Sequence, residues 1–321
     1  MSPRHVTIPY ERGLHDLGDG VFAYLQPDGG WGWSNAGLVT AADASLVVDT
    51  LMDLHLTRAM LAAMEPQTTA HPIRVAVNTH GDPDHCFGNE LLPDGIEIWA
   101  STTARDACAA ATPEAVAGMF ASSDMGQEFS QFSRTRFGTF EMAGVTHRVP
   151  TRTFDGEATL RFGDREVRLL ELGPAHTAGD AIVHVPDTGV VFAGDLVFAN
   201  DTPLMWTGPV ESWLSALDRI LALRPRAIVP GHGPVTDADG VRDLAHYLQY
   251  VADEATARFE GGMDPDEAAD DIDLSPFDDW SERERIAVNV HTVYRGLDPS
   301  LPPRSVPEQF VRMAGWAARH R

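Results

Sequence analysis

The sequence predicts an α/β protein in which two similar halves pack as a sandwich of β-sheets with helices on the outside. Three observations carry that prediction. Short β-branched runs bounded by Gly, Pro and Asp alternate with amphipathic stretches of helical period. The order meander, helix, strand occurs in residues 21–77 and again in 158–229. The strands end in polar loops rich in His and Asp, the place where α/β proteins put their chemistry.

Residues 1–20 are polar and punctuated by glycine, and read as irregular. Residues 21–25, 37–40 and 45–50 then read as strands of an antiparallel meander. Between the first two lies Pro27-Asp28-Gly29-Gly30, a turn, followed by Trp31-Gly32-Trp33. Two aromatics at a glycine-rich tip are either a folded-back plug of the core or a flap over a site. The mobile, glycine-flanked context favours the flap. Residues 54–64 are amphipathic and Pro66 is expected to end that helix. The run 73–77 is a buried strand that delivers the loop 78–89, residues 95–100 form another strand, and the Ala-rich 102–111 a helix. Segment 113–150 reads as less regular, and its methionines and phenylalanines, Phe120 and Met125 among them, suit the wall of an apolar pocket. In the second half, 158–162 and 166–172 form a hairpin around Gly163-Asp164. Residues 181–185 and 189–193 form another, ending at Gly194-Asp195. A helix over 210–223, a strand over 227–229 and a long helix over 237–261 follow. Gly261-Gly262 closes that helix, so we divide the chain into a catalytic domain, 1–260, and a helical C-terminal extension, 261–321, packed on it.

Charge narrows the partners. The formal net charge is −23, and all 24 basic residues are arginine. Nucleic acid and anionic membrane surfaces need basic patches, so neither is expected as a partner. No apolar run approaches the ~20 residues that span a bilayer. Residues 1–5 carry no apolar leader core, and two cysteines, Cys86 and Cys108, are too few for a disulfide framework. The expected setting is therefore cytoplasmic, with a small-molecule substrate; a homo-oligomer stays open. Cys86 lies within the polar loop but reads as a small buried hydrophobe.

The chemistry sits at the strand ends. His80, Asp82, Asp84 and His85 follow the 73–77 run, His176 follows 171–172, Asp195 follows 190–193, and His232 follows 227–229. Imidazole and carboxylate are the ligand types of divalent metal sites, and neighbouring glycines let a backbone approach an ion closely. A lone strand-end histidine is usually structural, but four strand ends sharing the feature argue for one metal centre. His184, His246 and His291 fall outside this set and read as structural.

The ordered set His80-x-Asp82-x-Asp84-His85, Gly173-Pro174-Ala175-His176-Thr177, Gly194-Asp195 and Pro230-Gly231-His232-Gly233-Pro234 resembles the metallo-β-lactamase superfamily over roughly residues 18–235. The resemblance implies a four-layer αβ/βα sandwich of two mixed sheets with two divalent metal ions at one edge. His80, Asp82 and His176 would hold the first ion, Asp84, His85 and His232 the second, and Asp195 would bridge them. Zinc is the expected metal. The family usually has histidine where this chain has Asp82, and a hard oxygen there admits iron or manganese. Two ions sharing a water would lower its pKa toward ~7 and give a hydroxide that attacks an acyl carbonyl. Asp84 would also orient that nucleophile, which makes it the expected catalytic residue.

Residues 22–27 with Gly30-Trp31, Thr202-Pro203, Pro265-x-x-Ala268-Ala269 and Asn289-Val290-His291 are similar to the cyclase/thioesterase branch found with bacterial aromatic polyketide pathways. That resemblance implies hydrolysis of a bulky or aromatic acyl thioester or ester, carrier-protein-tethered chains included, or ring closure. Trp31, Trp33, Phe120 and Met125 would form the substrate pocket. The rivals are a lactonase, a β-lactamase, a di-iron redox enzyme and a metal-free binding protein that keeps the fold.

Overall fold

Consecutive side chains of a strand point to opposite faces, so a sheet covered on both sides needs apolar residues at nearly every position. The strand β4 (Ser45–Val48) shows this. Leu46 and Val48 enter one apolar cluster, between the sheets, while Val47 enters another, beneath the helices. In β10 (Ala181–Val185), Val183 and Val185 face the inter-sheet core and Ile182 the helical side. The unbroken hydrophobic runs are thus a consequence of double burial.

A computed structural model describes residues 8–27 and 29–320. The reading of residues 1–5, and Asp28 in its turn, lie outside the described residues. The first sheet has seven strands in sequence order. β1 (Gly13–Gly18), β2 (Val21–Leu25), β3 (Ala36–Thr40) and β4 are antiparallel, and β5 (Ile73–Val77), β6 (Glu97–Ser101) and β7 (Arg152–Phe154) continue parallel to β4. The second sheet has the order β12-β11-β10-β9-β8. In it β8 (Glu157–Phe162), β9 (Arg165–Glu171), β10 and β11 (Val190–Phe198) are antiparallel, and β12 (Ala227–His232) is parallel to β11. The chain passes from one sheet to the other at Asp155-Gly156, between β7 and β8.

Helices cover the sheets. α1 (Leu54–Thr68) connects β4 to β5, and Asp53 caps it by accepting from the Leu56 amide. α2 (Pro83–Cys86) is a single turn at the site. α3 (Thr102–Ala110), α4 (Pro113–Ala121) and α5 (Gln127–Arg136) fill the long connection to β7, and the side chains of Ser101 and Thr112 cap the first two of these. α6 (Val210–Ala222) connects β11 to β12, and α7 (Ala238–Glu260) follows. In the C-terminal segment, α8 (Pro265–Asp271), α9 (Ile286–Leu297) and α10 (Val306–Arg319) bury Ala269, Val290, Tyr294, Phe310 and Met313 in the same cluster as Tyr247 and Val251 of α7. Among the described residues no helix is long and apolar enough to cross a membrane.

Four expectations of secondary structure change. Residues 13–18 are a strand, partly exposed at a sheet edge, where a one-sided position demands no apolar alternation. α1 runs through Pro66, because the Thr69 amide still bonds to the Glu65 carbonyl and the last turn survives one missing donor. Segment 113–150 contains two helices. β11 does not stop before Gly194 but bulges there and continues to Phe198, so Asp195 lies inside a strand.

The Trp31 loop is the folded-back plug, not a flap. Trp31 is only 8% exposed. Its ring packs against Phe132, Phe137 and Phe310, its indole N–H donates to Glu284 Oε1 at 2.9 Å, and the Arg285 guanidinium lies 4.3 Å from its centre. Burial of a large aromatic with a satisfied N–H outweighs the freedom of the glycines beside it.

Candidate metal centre

β4 and β5 end side by side and hold the ligand loop through Asp49. This residue sits in the left-handed region (φ 60°), which Asp tolerates better than most residues. Its carboxylate accepts from the Thr79 amide at 2.7 Å, from the Thr79 hydroxyl at 2.8 Å and from His85 Nδ1 at 3.0 Å. The Asn78 amide group donates to the His85 carbonyl, and Pro83 opens the turn α2, which carries Asp84 and His85.

From the second sheet come His176, Asp195 and His232. Asp180 accepts from both the amide and the hydroxyl of Thr177 and so folds the loop that presents His176. Burial lifts the Asp180 carboxyl to about 7. His232 ends β12, and Gly231 before it is required by close approach, since a Cβ there would lie 1.8 Å from Asp195 Oδ1.

All seven predicted ligands come together. His176 Nε2 is 3.2 Å from Asp82 Oδ2 and 3.4 Å from Asp195 Oδ2. His232 Nε2 is 3.4 Å from Asp84 and 3.5 Å from Asp195, and His85 Nε2 is 3.1 Å from Asp195 Oδ1. His80 Nε2 is 3.9 Å from Asp195 Oδ2 and 4.0 Å from Asp82 Oδ2. Three overlapping sets have ligand atoms close enough to share an ion: His80/His85/Asp195, His80/Asp82/His176 and Asp84/His85/His232.

Each histidine is tethered by Nδ1: His80 to the Thr79 hydroxyl, His85 to Asp49, His176 to the Leu204 carbonyl and His232 to the Gly29 carbonyl. All four therefore aim Nε2 at one point, the arrangement that metal-ligating imidazoles adopt. Nε2 of His80 is buried without a hydrogen-bond partner, and Nε2 of His85 and Oδ1 of Asp195, though 3.1 Å apart, are buried without a well-aligned bond. Such orphans are costly unless something else engages them, and a divalent cation fits both their charge and their donor type.

The electrostatics agree. Burial opposes ionisation of Asp195, but His232, His85, His80 and His176 around it hold its carboxyl well below the usual range. Burial also opposes the His176 imidazolium, yet Asp195 and Asp82 raise it to about 9. Burial and then the charge of His85 push His80 down to about 4. Imidazoles packed this closely cannot all carry protons, and positive charge supplied from outside would relieve the carboxylates.

The centre forms the floor of a cavity of ≈ 340 Å³. Trp31, Phe120, Phe137, Trp206 and Phe310 wall it. Phe310 of α10 lies within 5.3–5.7 Å of the other four ring centres. Of the expected pocket residues, Trp31 and Phe120 line this cavity. Trp33 and Met125 do not: Trp33 turns away onto Phe140 and Arg12, and Met125 sits beyond the end of α4, on the turn into α5. Sequence reasoning missed Asp49, Asp180, Trp206 and Phe310. An Asp directly after a strand was the available signal for Asp49.

A model of the metallo-beta-lactamase superfamily matches residues 29–232. The chain belongs to this superfamily. Its fold is the metallo-beta-lactamase fold, two mixed sheets flanked by helices. The curated relatives include hydroxyacylglutathione hydrolases of Brucella ovis and Brucella abortus, each 30% identical over 118 residues. That match covers 37% of this chain and 39% of each relative. Among solved structures, a metallo-beta-lactamase from Pontibacter korlensis superposes with a TM-score of 0.57 at 19% identity, over 74% of this chain and 99% of the other. A double mutant of the sec-alkyl sulfatase PisA1 gives 0.66 at 14% identity, over 91% of this chain and 52% of that one. At these identities the superpositions speak for the fold.

Proposed function

We propose that this superfamily member is a metal-dependent hydrolase of an acyl thioester or ester with a bulky, apolar acyl group. One observation carries the reading: a seven-ligand centre with every histidine Nε2 turned inward lies on the floor of an aromatic-walled cavity. A pair of divalent ions held by His80, Asp82 and His176 and by Asp84, His85 and His232, with Asp195 between, would supply a Lewis acid and a water of lowered pKa. Each set offers two imidazole nitrogens and one carboxylate, which suits zinc, and the carboxylate of Asp82 also admits iron or manganese in the first. Trp31, Phe120, Phe137 and Phe310 bind the acyl group and exclude water from it. Asp84, at the cavity floor, orients the attacking water and takes part in moving its proton.

The relatives' name speaks of an acyl group carried on glutathione, which favours a thioester over a lactam. Glutathione itself is a poor fit. It bears two carboxylates, and Arg285, the one arginine among the described residues lining the cavity, already donates to Asp201 and the Thr202 carbonyl. A carrier-tethered acyl chain suits the apolar walls better, and intramolecular ring closure at the same carbonyl is the second reading.

The test is turnover by zinc-loaded protein of naphthoyl and benzoyl thioesters, a hydroxyacylglutathione, a lactone and a chromogenic cephalosporin, with products identified by mass. Expected is a kcat/KM for the aryl thioesters at least tenfold above the others, lost on chelation and in Asp84→Ala. Turnover confined to the cephalosporin, or none at full metal loading, refutes the proposal.

A further inference from the structure

Asp82 is the one ligand that replaces a histidine of the family pattern, and the structure shows what backs it. The Trp206 indole N–H donates to Asp82 Oδ2 at 3.2 Å, the same oxygen that lies 3.2 Å from His176 Nε2. The backbone around Trp206 grips His176 as well. The Trp206 amide donates to the His176 carbonyl at 3.0 Å, and His176 Nδ1 bonds to the Leu204 carbonyl. This strap, residues 203–206, is tied down by α9. Asn289 accepts from the Met205 amide and donates to the Pro203 carbonyl, both at 2.8 Å, and the Thr292 hydroxyl donates to the Met205 carbonyl at 2.8 Å.

We infer that Trp206 is a positioning residue matched to Asp82, holding the carboxylate in ligand geometry and fixing Asp82 and His176 as one unit of the first metal site. The chemistry of the donor makes the match specific. An indole N–H can only donate. It complements a carboxylate, which only accepts when ionised. A histidine at position 82 that aimed one nitrogen at an ion would carry its proton on the other. If that N–H faced Trp206, donor would meet donor. Without the indole, the short Asp82 side chain, about 30% exposed, is free to swing toward solvent. The strap also explains how a segment beyond residue 260 reaches the metal centre without contributing a ligand: α9 holds the strap, and the strap holds two ligands.

The inference rests on the reading that this cluster binds divalent ions, and a double-mutant cycle separates the two. Zinc affinity of the full-length protein is measured by chelator competition for the parent, Trp206→Phe, Asp82→His and the double variant. Outer partners of metal ligands are typically worth 10–100-fold in affinity. Trp206→Phe should therefore weaken one of two ions at least tenfold and leave the other within about threefold. In the Asp82→His background the same change should be neutral or should tighten binding. Equal weakening in both backgrounds would show that the ring only packs, and no weakening in either would show that the bond is idle; both results overturn the inference. Failure of the parent to bind zinc at all would overturn the metal reading too. If Trp206→Phe does not fold, the bond is read in Asp82→Ala instead, with nitrogen-15-labelled tryptophan. One indole N–H resonance must then move upfield, and an unchanged set refutes the pairing.

Discussion

Replacing Asp49 by Asn should uncouple the metal centre from the fold at almost no cost in shape. The left-handed backbone at this position suits Asn as well as Asp. The amide oxygen can still accept from the Thr79 amide, as Oδ1 does at 2.7 Å. The other end of the group changes sign: an NH2 now faces His85 Nδ1, which had donated across 3.0 Å. To accept from the amide, His85 must move its proton to Nε2, the nitrogen aimed at the centre, and the ring ceases to be a ligand. Burial opposes the His85 imidazolium, while Asp195 and Asp49 hold its pKa well above the ordinary value; removing the Asp49 charge withdraws one of those supports. Loss of such a partner costs about 10–100-fold in metal affinity, or ~1.4–2.7 kcal/mol. The metal-free protein should lose only about 1–2 kcal/mol, because the Thr79 amide keeps its acceptor and the two groups on Oδ2, the Thr79 hydroxyl and His85 Nδ1, can each turn to accept from the new NH2. Asp49→Ala is the contrast, since it strands three buried donors and should cost roughly 3 kcal/mol or more. Zinc affinity by chelator competition, beside urea melts of metal-free protein, separates the two effects. A zinc affinity for Asp49→Asn within about twofold of the parent would refute this account of how His85 is held.

Gly231→Ala should abolish binding of at least one ion, because the new methyl would occupy the place of Asp195 Oδ1, 1.8 Å away; metal content by atomic emission reads this, and full occupancy contradicts it. Trp31→Ala should lower stability by roughly 3–5 kcal/mol in urea melts, as expected for a buried aromatic, whereas a flap would leave the midpoint unchanged. Glu282→Gln should stabilise the protein at high pH. Burial and then the neighbouring Glu284 raise the Glu282 carboxyl to about 9, against Arg285 and Arg136. A carboxyl whose folded pKa lies above its unfolded value costs stability progressively as pH rises from that unfolded value toward the folded one. The variant should therefore gain nothing near pH 4 and progressively more toward pH 8, on the order of several kcal/mol, and a pH-independent gain would contradict the assignment.

The ligand set was legible because a divalent ion accepts few residue types and needs small neighbours, so the requirement is written locally, as at Gly231-His232-Gly233. Strands buried on both faces were legible for the same local reason. What escaped depends on tertiary position. β1 lies at a sheet edge and shows no pattern. The bulge that places Asp195 within β11 is set by the register against β12, which no single strand reveals. The direction of the Trp31 loop is decided by Glu284, 253 residues away, and by Phe310. Asp49 and Trp206 act on ligands rather than as ligands, and an aspartate after a strand, or a tryptophan before Thr-Gly-Pro, looks like any turn.

The single passage between sheets at Asp155-Gly156 separates the ligands by origin. His80, Asp82, Asp84 and His85 precede it, and His176, Asp195 and His232 follow it. Each of the three overlapping sets draws on both sides. An ion in any of them is therefore a rivet between two separately encoded fragments. If the backbone were nicked at that corner, the two pieces would form a heterodimer whose dissociation constant falls as free metal rises, by the factor 1 + [M]/Kd for each ion bound only by the assembled pair.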